Sequence, residues 1–209
     1  MKTILCFGDS NTWGDPPGGI GRFDFEIRWP GRLQLELGDS YRVVEEGLCG
    51  RTTVYDDPFV SDRNGAKHLP ILLESHAPIS LLILMLGTND LKAVFNLSPF
   101  LIGKGMEHLV GIARKSELPI EEILVVSPPH INRTGNLETG LTFEGAIPKS
   151  KELAQYYQYV AAQFGVRFFD AATVAEASVI DGVHIDEAGH AALAKAIAGE
   201  IQRFVVAQE

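Results

Sequence analysis

The chain has 209 residues, of which 45% are hydrophobic and 22% charged. That is the make-up of an ordinary folded protein with room for one sizeable core, and it excludes disordered, fibrous and membrane-embedded classes. A formal charge of -9 at pH 7, with no local basic patch, argues against a nucleic-acid partner.

Only two cysteines are present, Cys6 and Cys49, too few for a disulfide framework, so reduced thiols are expected. The opening MKTILCFGDS holds an apolar stretch too short for a secretory leader, and no apolar run approaches the roughly 20 residues that span a bilayer. These features lead us to expect a cytoplasmic protein, one domain over residues 1–209, with no membrane partner.

In chain order, Thr3 to Phe7 reads as a first strand, apolar throughout, and runs into Gly8, Asp9, Ser10, Asn11 and Thr12. A serine at the carboxyl end of a first strand stands where open α/β sheets hold ligands. The same Asp and Ser are also good helix N-caps, so the segment alone supports either role. Asp15 to Arg28 fits neither helical nor strand periodicity and reads as a long loop.

Tyr41 to Glu45 is a second strand, followed by Gly47, Leu48, Cys49 and Gly50, where a backbone N–H can point into the same crevice or simply serve a turn. Leu81 to Leu86 is a third, followed by Gly87, Thr88, Asn89 and Asp90. The Asn89 amide could donate to a developing oxyanion or close an Asx turn.

A helical face follows through Ile102, Met106, Leu109, Val110 and Ala113, then a fourth strand from Ile123 to Ser127. Pro128 to Pro148, rich in Gly, Pro, Asn and Thr, reads as a loop long enough to line a site or an interface. Leu153, Tyr157, Val160 and Phe164 mark another helix, Val166 to Phe169 a fifth strand, and Leu193, Ile197, Ile201 and Phe204 a last helix.

Short, nearly continuous apolar strands separated by helical crossovers predict a three-layer α/β/α fold around a five-stranded parallel sheet. Between the fifth strand and the last helix, Asp181, Gly182, Val183 and His184 form a polar turn from which an acid and a base can emerge together. A serine needs such a base to act as a nucleophile.

The blocks Gly8-Asp9-Ser10, a glycine after strand two, Gly87-Thr88-Asn89-Asp90 and Asp181-Gly182-Val183-His184 occur in the order and spacing of the SGNH, or GDSL, hydrolases, which the chain resembles nearly end to end. The resemblance implies a flavodoxin-like sheet and a serine ester hydrolase working without cofactor or metal. Ser10 would be its nucleophile, His184 the general base and Asp181 the residue that orients it. It further implies that the Ser10 N–H, the Gly50 N–H and the Asn89 side chain form the oxyanion hole.

One departure is Asn11, where the GDSL pattern has Leu. The residue follows the nucleophile and is expected to shape the pocket wall and hence acyl preference. Trp13 and Thr88 are further candidate substrate contacts; Trp13 and Trp29 fit either a pocket lining or core packing. No G-x-S-x-G elbow surrounds Ser10, which argues against the α/β-hydrolase fold.

Ile4 to Trp13, Glu45 to Pro58, Met85 to Lys92 and Leu124 to Pro129 resemble the bacterial arylesterase and acyltransferase branch. This implies small-acyl esters, acyl transfer to alcohols or peroxide, and a homo-oligomer, an octamer in that branch, with Pro128 to Pro148 as the contact. Deacetylation of sugars, or a binding module that has lost catalysis, are the competing readings. His68, His76, His108, His130 and His190 lack a metal-ligand spacing, and His190 is expected on a helix surface.

Overall fold

The five apolar runs become five strands: β1 (Lys2–Gly8), β2 (Tyr41–Gly47), β3 (Ile79–Met85), β4 (Ile120–Ser127) and β5 (Arg167–Asp170). In the computed structural model, which describes residues 1–206, all pair in parallel in the order β2-β1-β3-β4-β5. The helices are α1 (Ser10–Trp13), α2 (Trp29–Leu37), α3 (Gly65–His76), α4 (Pro99–Arg114), α5 (Leu137–Thr142), α6 (Ala146–Ser150), α7 (Leu153–Phe164) and α8 (Glu187–Val206).

Successive side chains of a strand point to opposite faces, so each apolar run feeds two cores. Leu5, Phe7, Leu82, Leu84, Ile123 and Val125 pack on one face with Leu69 of α3, Met106 of α4 and Tyr157 of α7. Ile4, Cys6, Leu81, Ile83, Leu124 and Val126 pack on the other with Trp29 and Leu33 of α2 and Leu193, Ile197 and Ile201 of α8. The sheet is thus covered on both sides, the three-layer arrangement expected; the side chain of Phe204 lies outside the described residues.

Several elements differ from the sequence reading. β3 begins at Ile79 and ends at Met85, and β5 runs one residue later than expected. α2 and α3 carry weak helical signals because Pro30 opens the first and Pro70 interrupts the second, which buries only Gly65, Leu69 and Leu73. The segment 128–148 is not structureless: it contains α5, and α6 up to Pro148 and beyond. α5 buries none of its residues and therefore leaves no apolar period to read.

The strand order reverses direction between β1 and β3, and a crevice forms outside the carboxyl ends of strands at such a switch point. Two glycines let the backbone close there. A Cβ on Gly8 would stand 2.0 Å from Thr12 Oγ1, and one on Gly47 would stand 2.2 Å from the Trp13 nitrogen. α1 is therefore seated directly on the ends of β1 and β2. Among the described residues no helix is long and apolar enough to cross a membrane.

Because the atom opposite Gly47 is backbone and cannot swing aside, Gly47→Ala is expected to destabilise the fold by about 1–3 kcal/mol, as overpacking does. Thermal or denaturant unfolding measures this; an unchanged midpoint would mean that α1 is not seated as tightly as described.

Candidate active site

The first question is which residue caps α1. Asp9 does: its Oδ1 accepts from the Asn11 N–H at 3.0 Å. Ser10 is thereby released from the capping role and becomes the first helical residue, with Oγ 2.9 Å from His184 Nε2.

His184 arrives from the opposite end of the chain, in the turn that precedes α8. Its Nδ1 lies 2.8 Å from Asp181 Oδ2, so Nδ1 carries the proton and Nε2 is left to accept from Ser10. The Asp181 carboxylate also accepts from the Val183 and His184 backbone N–H groups, each at 3.0 Å, and from Gly18 N–H at 2.9 Å. Burial pushes its pKa up, but the His184 hydrogen bond and these backbone donors outweigh burial and hold it well below the usual carboxylate range.

For His184 the balance also favours the charged form. Burial opposes protonation, yet the bond to Asp181 and the negative charges of Asp181, Asp15 and Asp9 raise its pKa above the ordinary 6.5. An imidazolium at His184 is stabilised in place.

Asn89, in the turn after β3, is buried beside Ser10, and its Nδ2 donates to the Arg51 carbonyl at 3.1 Å, which leaves its second N–H available. Arg51 itself donates from Nη1 to the Gly8 carbonyl at 2.9 Å and to the Glu46 carbonyl, and its guanidinium stacks 4.2 Å from the Phe7 ring centre. It ties the ends of β1 and β2 together. Asp90 accepts from Thr53 N–H at 3.0 Å and from the Thr53 hydroxyl, fixing the Asn89 turn from the other side. The roles of Arg51 and Asp90 escaped the sequence reading, since each acts through partners distant in sequence.

Gly50 has φ of 81°, the left-handed region that favours glycine, and its N–H donates no hydrogen bond among the described residues. It is not among the residues lining the cavity at Ser10. That cavity, of about 310 Å³, is bounded by Ser10, Asn89, Asp181 and His184 together with Asn136, Glu138, Thr142 and Phe143. The last four come from α5 and its flanks, so the long segment 128–148 does line the site.

Four expectations change. Asn11 does not form the pocket wall: it is 1% exposed, its Nδ2 donates to the Val183 carbonyl at 3.2 Å, and its Oδ1 accepts from Ile185 N–H at 3.0 Å. It brackets His184 on both sides. Trp13 is not on the cavity lining either; Arg22 stacks 5.1 Å from its ring centre and donates to its carbonyl. Thr88 is buried and is not among the residues lining the cavity.

His190 is fully buried, not on the helix surface. Its Nδ1 accepts from Trp29 N–H at 3.1 Å, and burial pushes its pKa down to about 4, which keeps the ring neutral. Trp29 belongs to the core. Among the described residues no group of three or more His, Cys, Asp or Glu side chains is placed to hold a metal ion.

A serine, histidine and aspartate in one hydrogen-bonded chain, at the carboxyl edge of a five-stranded parallel sheet and without a G-x-S-x-G elbow, define a serine hydrolase of the flavodoxin-like type. The chain belongs to the GDSL-like lipase/acylhydrolase family, which it matches over residues 6–192, and is a carboxylic ester hydrolase.

Among solved structures it is similar to the aryl esterase of M. smegmatis, with 42% identity and a TM-score of 0.94 over 97% of this chain and 99% of that one. It is similar to a carbohydrate acetylesterase from Sinorhizobium meliloti, with 38% identity and a TM-score of 0.94 over 98% and 100%. A carbohydrate acetylesterase family member from the same organism shares 42% identity, with a TM-score of 0.93 over 97% and 98%. A search of curated proteins gave no significant match.

Two outcomes are expected. The base works only when neutral, so kcat/KM should rise with pH along a limb whose midpoint lies above 6.5, and Asp181→Asn should move that midpoint down; a midpoint below 6.5 in the unmodified protein would contradict the charge balance described. Asn11→Ala strands the Val183 carbonyl and the Ile185 N–H and should cost about 1–3 kcal/mol of stability. Its kcat should fall more than its KM rises, because His184 loses its bracket. Denaturant unfolding and steady-state kinetics on one preparation measure both effects.

Proposed function

We propose that the protein cleaves short-chain, acetyl-type carboxylic esters through an acyl-Ser10 intermediate, and that an alcohol can replace water in the second step, giving acyl transfer. The observation that carries this reading is the unbroken hydrogen-bonded chain Asp181–His184–Ser10 opening on a cavity of about 310 Å³.

In the first step Ser10 Oγ attacks the acyl carbonyl carbon while its proton passes to His184 Nε2, and the carbonyl π pair moves onto oxygen. The oxyanion meets the free N–H of Asn89, with Ser10 N–H and Gly50 N–H as its further donors. As the intermediate collapses, the bond to the alcohol oxygen breaks and His184 returns the proton to that oxygen. Water, or a second alcohol, then repeats the sequence on the acyl-serine and regenerates Ser10.

The cavity wall favours a second reading, removal of acetyl groups from carbohydrates: Asn136, Glu138, Thr139 and Thr142 offer polar contacts that an aryl leaving group does not use. Similarity to proteins named for aryl esters and for carbohydrate acetates supports both. The shared chemistry resides in the acyl group, and the loops choose the alcohol.

Hydrolysis of p-nitrophenyl acetate at matched folded concentration tests the reading. The unmodified protein should turn it over, and Ser10→Ala should lose at least about a thousandfold in rate. Equal rates in the two would remove Ser10 from the chemistry.

A further inference from the structure

His184 Nε2 faces a second oxygen besides that of the nucleophile. Ser10 Oγ lies 2.9 Å away, and Asp15 Oδ2 lies 3.6 Å from the same nitrogen. Asp15 follows the left-handed Gly14 cap of α1, and its own N–H donates to the Ser10 carbonyl at 3.0 Å, so its backbone is fixed to the helix that carries the nucleophile. Its side chain is 20% exposed, with the Cys49 thiol 3.8 Å away as a weak donor.

Asp15 adds to the negative charge around His184 but takes no part in the hydrogen bonds of the triad. Nδ1 of His184 is already held by Asp181, and Nε2 is engaged with Ser10. At 3.6 Å the Asp15 oxygen is too far to compete for the Nε2 proton as a hydrogen-bond acceptor.

When the tetrahedral intermediate collapses, Nε2–H must donate to the oxygen of the departing alcohol. An alcohol seated there brings its first carbons beside the Asp15 carboxylate. An ionised carboxylate only accepts hydrogen bonds, and one that loses water without gaining a donor is costly. A hydroxyl on the carbon next to the ester carbon supplies that donor, whereas an alkyl or aryl group does not.

Resting on the esterase reading above, we infer that Asp15 is the specificity-determining residue for the alcohol side of the ester, selecting leaving alcohols that carry a neighbouring hydroxyl, as the acetates of polyols and sugars do. Asp15 approaches His184 Nε2 from beside the cavity lining, and the polar wall formed by Asn136, Glu138, Thr139 and Thr142 lies on the cavity that the same histidine lines.

The test is a matched pair of esters, 2-hydroxyethyl acetate and propyl acetate, whose leaving alcohols differ by a hydroxyl in place of a methyl group. The unmodified protein should prefer the hydroxy ester in kcat/KM by about tenfold or more, the size expected for a hydrogen bond to a charged acceptor. Asp15→Ala should bring the ratio close to one, and Asp15→Asn, which keeps the shape and loses the charge, should leave it in between.

The ratio is independent of any rate change common to both esters, such as one transmitted through His184. A ratio near one in the unmodified protein, or one that Asp15→Ala leaves unaltered, overturns the inference. If Asp15→Ala does not fold, the unmodified ratio and that of Asp15→Asn decide. Activity on p-nitrophenyl acetate without a preference between the pair sinks this inference alone, whereas inactivity on all three esters sinks the esterase reading itself.

Discussion

The geometry of the site depends on one neutral amide. Ser10 and His184 are separated by 174 residues, yet Ser10 Oγ and His184 Nε2 lie 2.9 Å apart. The amide of Asn11 closes that distance by accepting from Ile185 and donating to Val183, so His184 is gripped at both neighbours by the residue that follows Ser10. The amide is buried, with its oxygen and its nitrogen each hydrogen-bonded, so removing it would leave two backbone groups unpaired. The turn is held further by Asn132 N–H to the Gly182 carbonyl at 2.8 Å and Ser178 N–H to the His184 carbonyl at 2.8 Å, which makes the segment 128–148 part of the same support.

Three carboxyl groups near the site are pushed in different directions by their surroundings. Asp181 collects backbone donors and the imidazole and remains ionised. Asp9 and Asp90 are fully buried with less compensation, and burial raises both to about 6 despite their hydrogen bonds. Deeper burial and fewer N–H donors together set Asp9 and Asp90 apart from Asp181. Negative charge is thus concentrated beside His184, while Asp9 caps the Ser10 helix and Asp90 ties the Asn89 turn to Thr53.

What could be read from the sequence follows from this division. The centre of the sheet was legible because β1, β3 and β4 carry apolar runs ending abruptly in small polar residues, as Phe7 does before Gly8-Asp9-Ser10 and Leu86 before Gly87-Thr88-Asn89, while β2 and β5 carry only short apolar pairs. The Ser10, Asp181 and His184 cluster was legible because the acid and base share one turn and the serine stands at a strand end. What faces what was not legible. Asn11 reads as a pocket residue until the Val183 and Ile185 backbone is seen around it, and His190 reads as solvated until Trp29 N–H is found on its ring. α5 could not be recognised from a period, because it buries nothing.

That same lack of burial has a consequence for how freely the cavity wall can change. α5 supplies Glu138, Thr139 and Thr142 to the cavity wall while contributing none of its residues to the two cores that hold the sheet. Replacing those side chains alters the shape and polarity offered to an ester without removing apolar surface from the interior. The residues that face the cavity from α5 and the residues that hold the fold are therefore separate sets, and the first can change without disturbing the second.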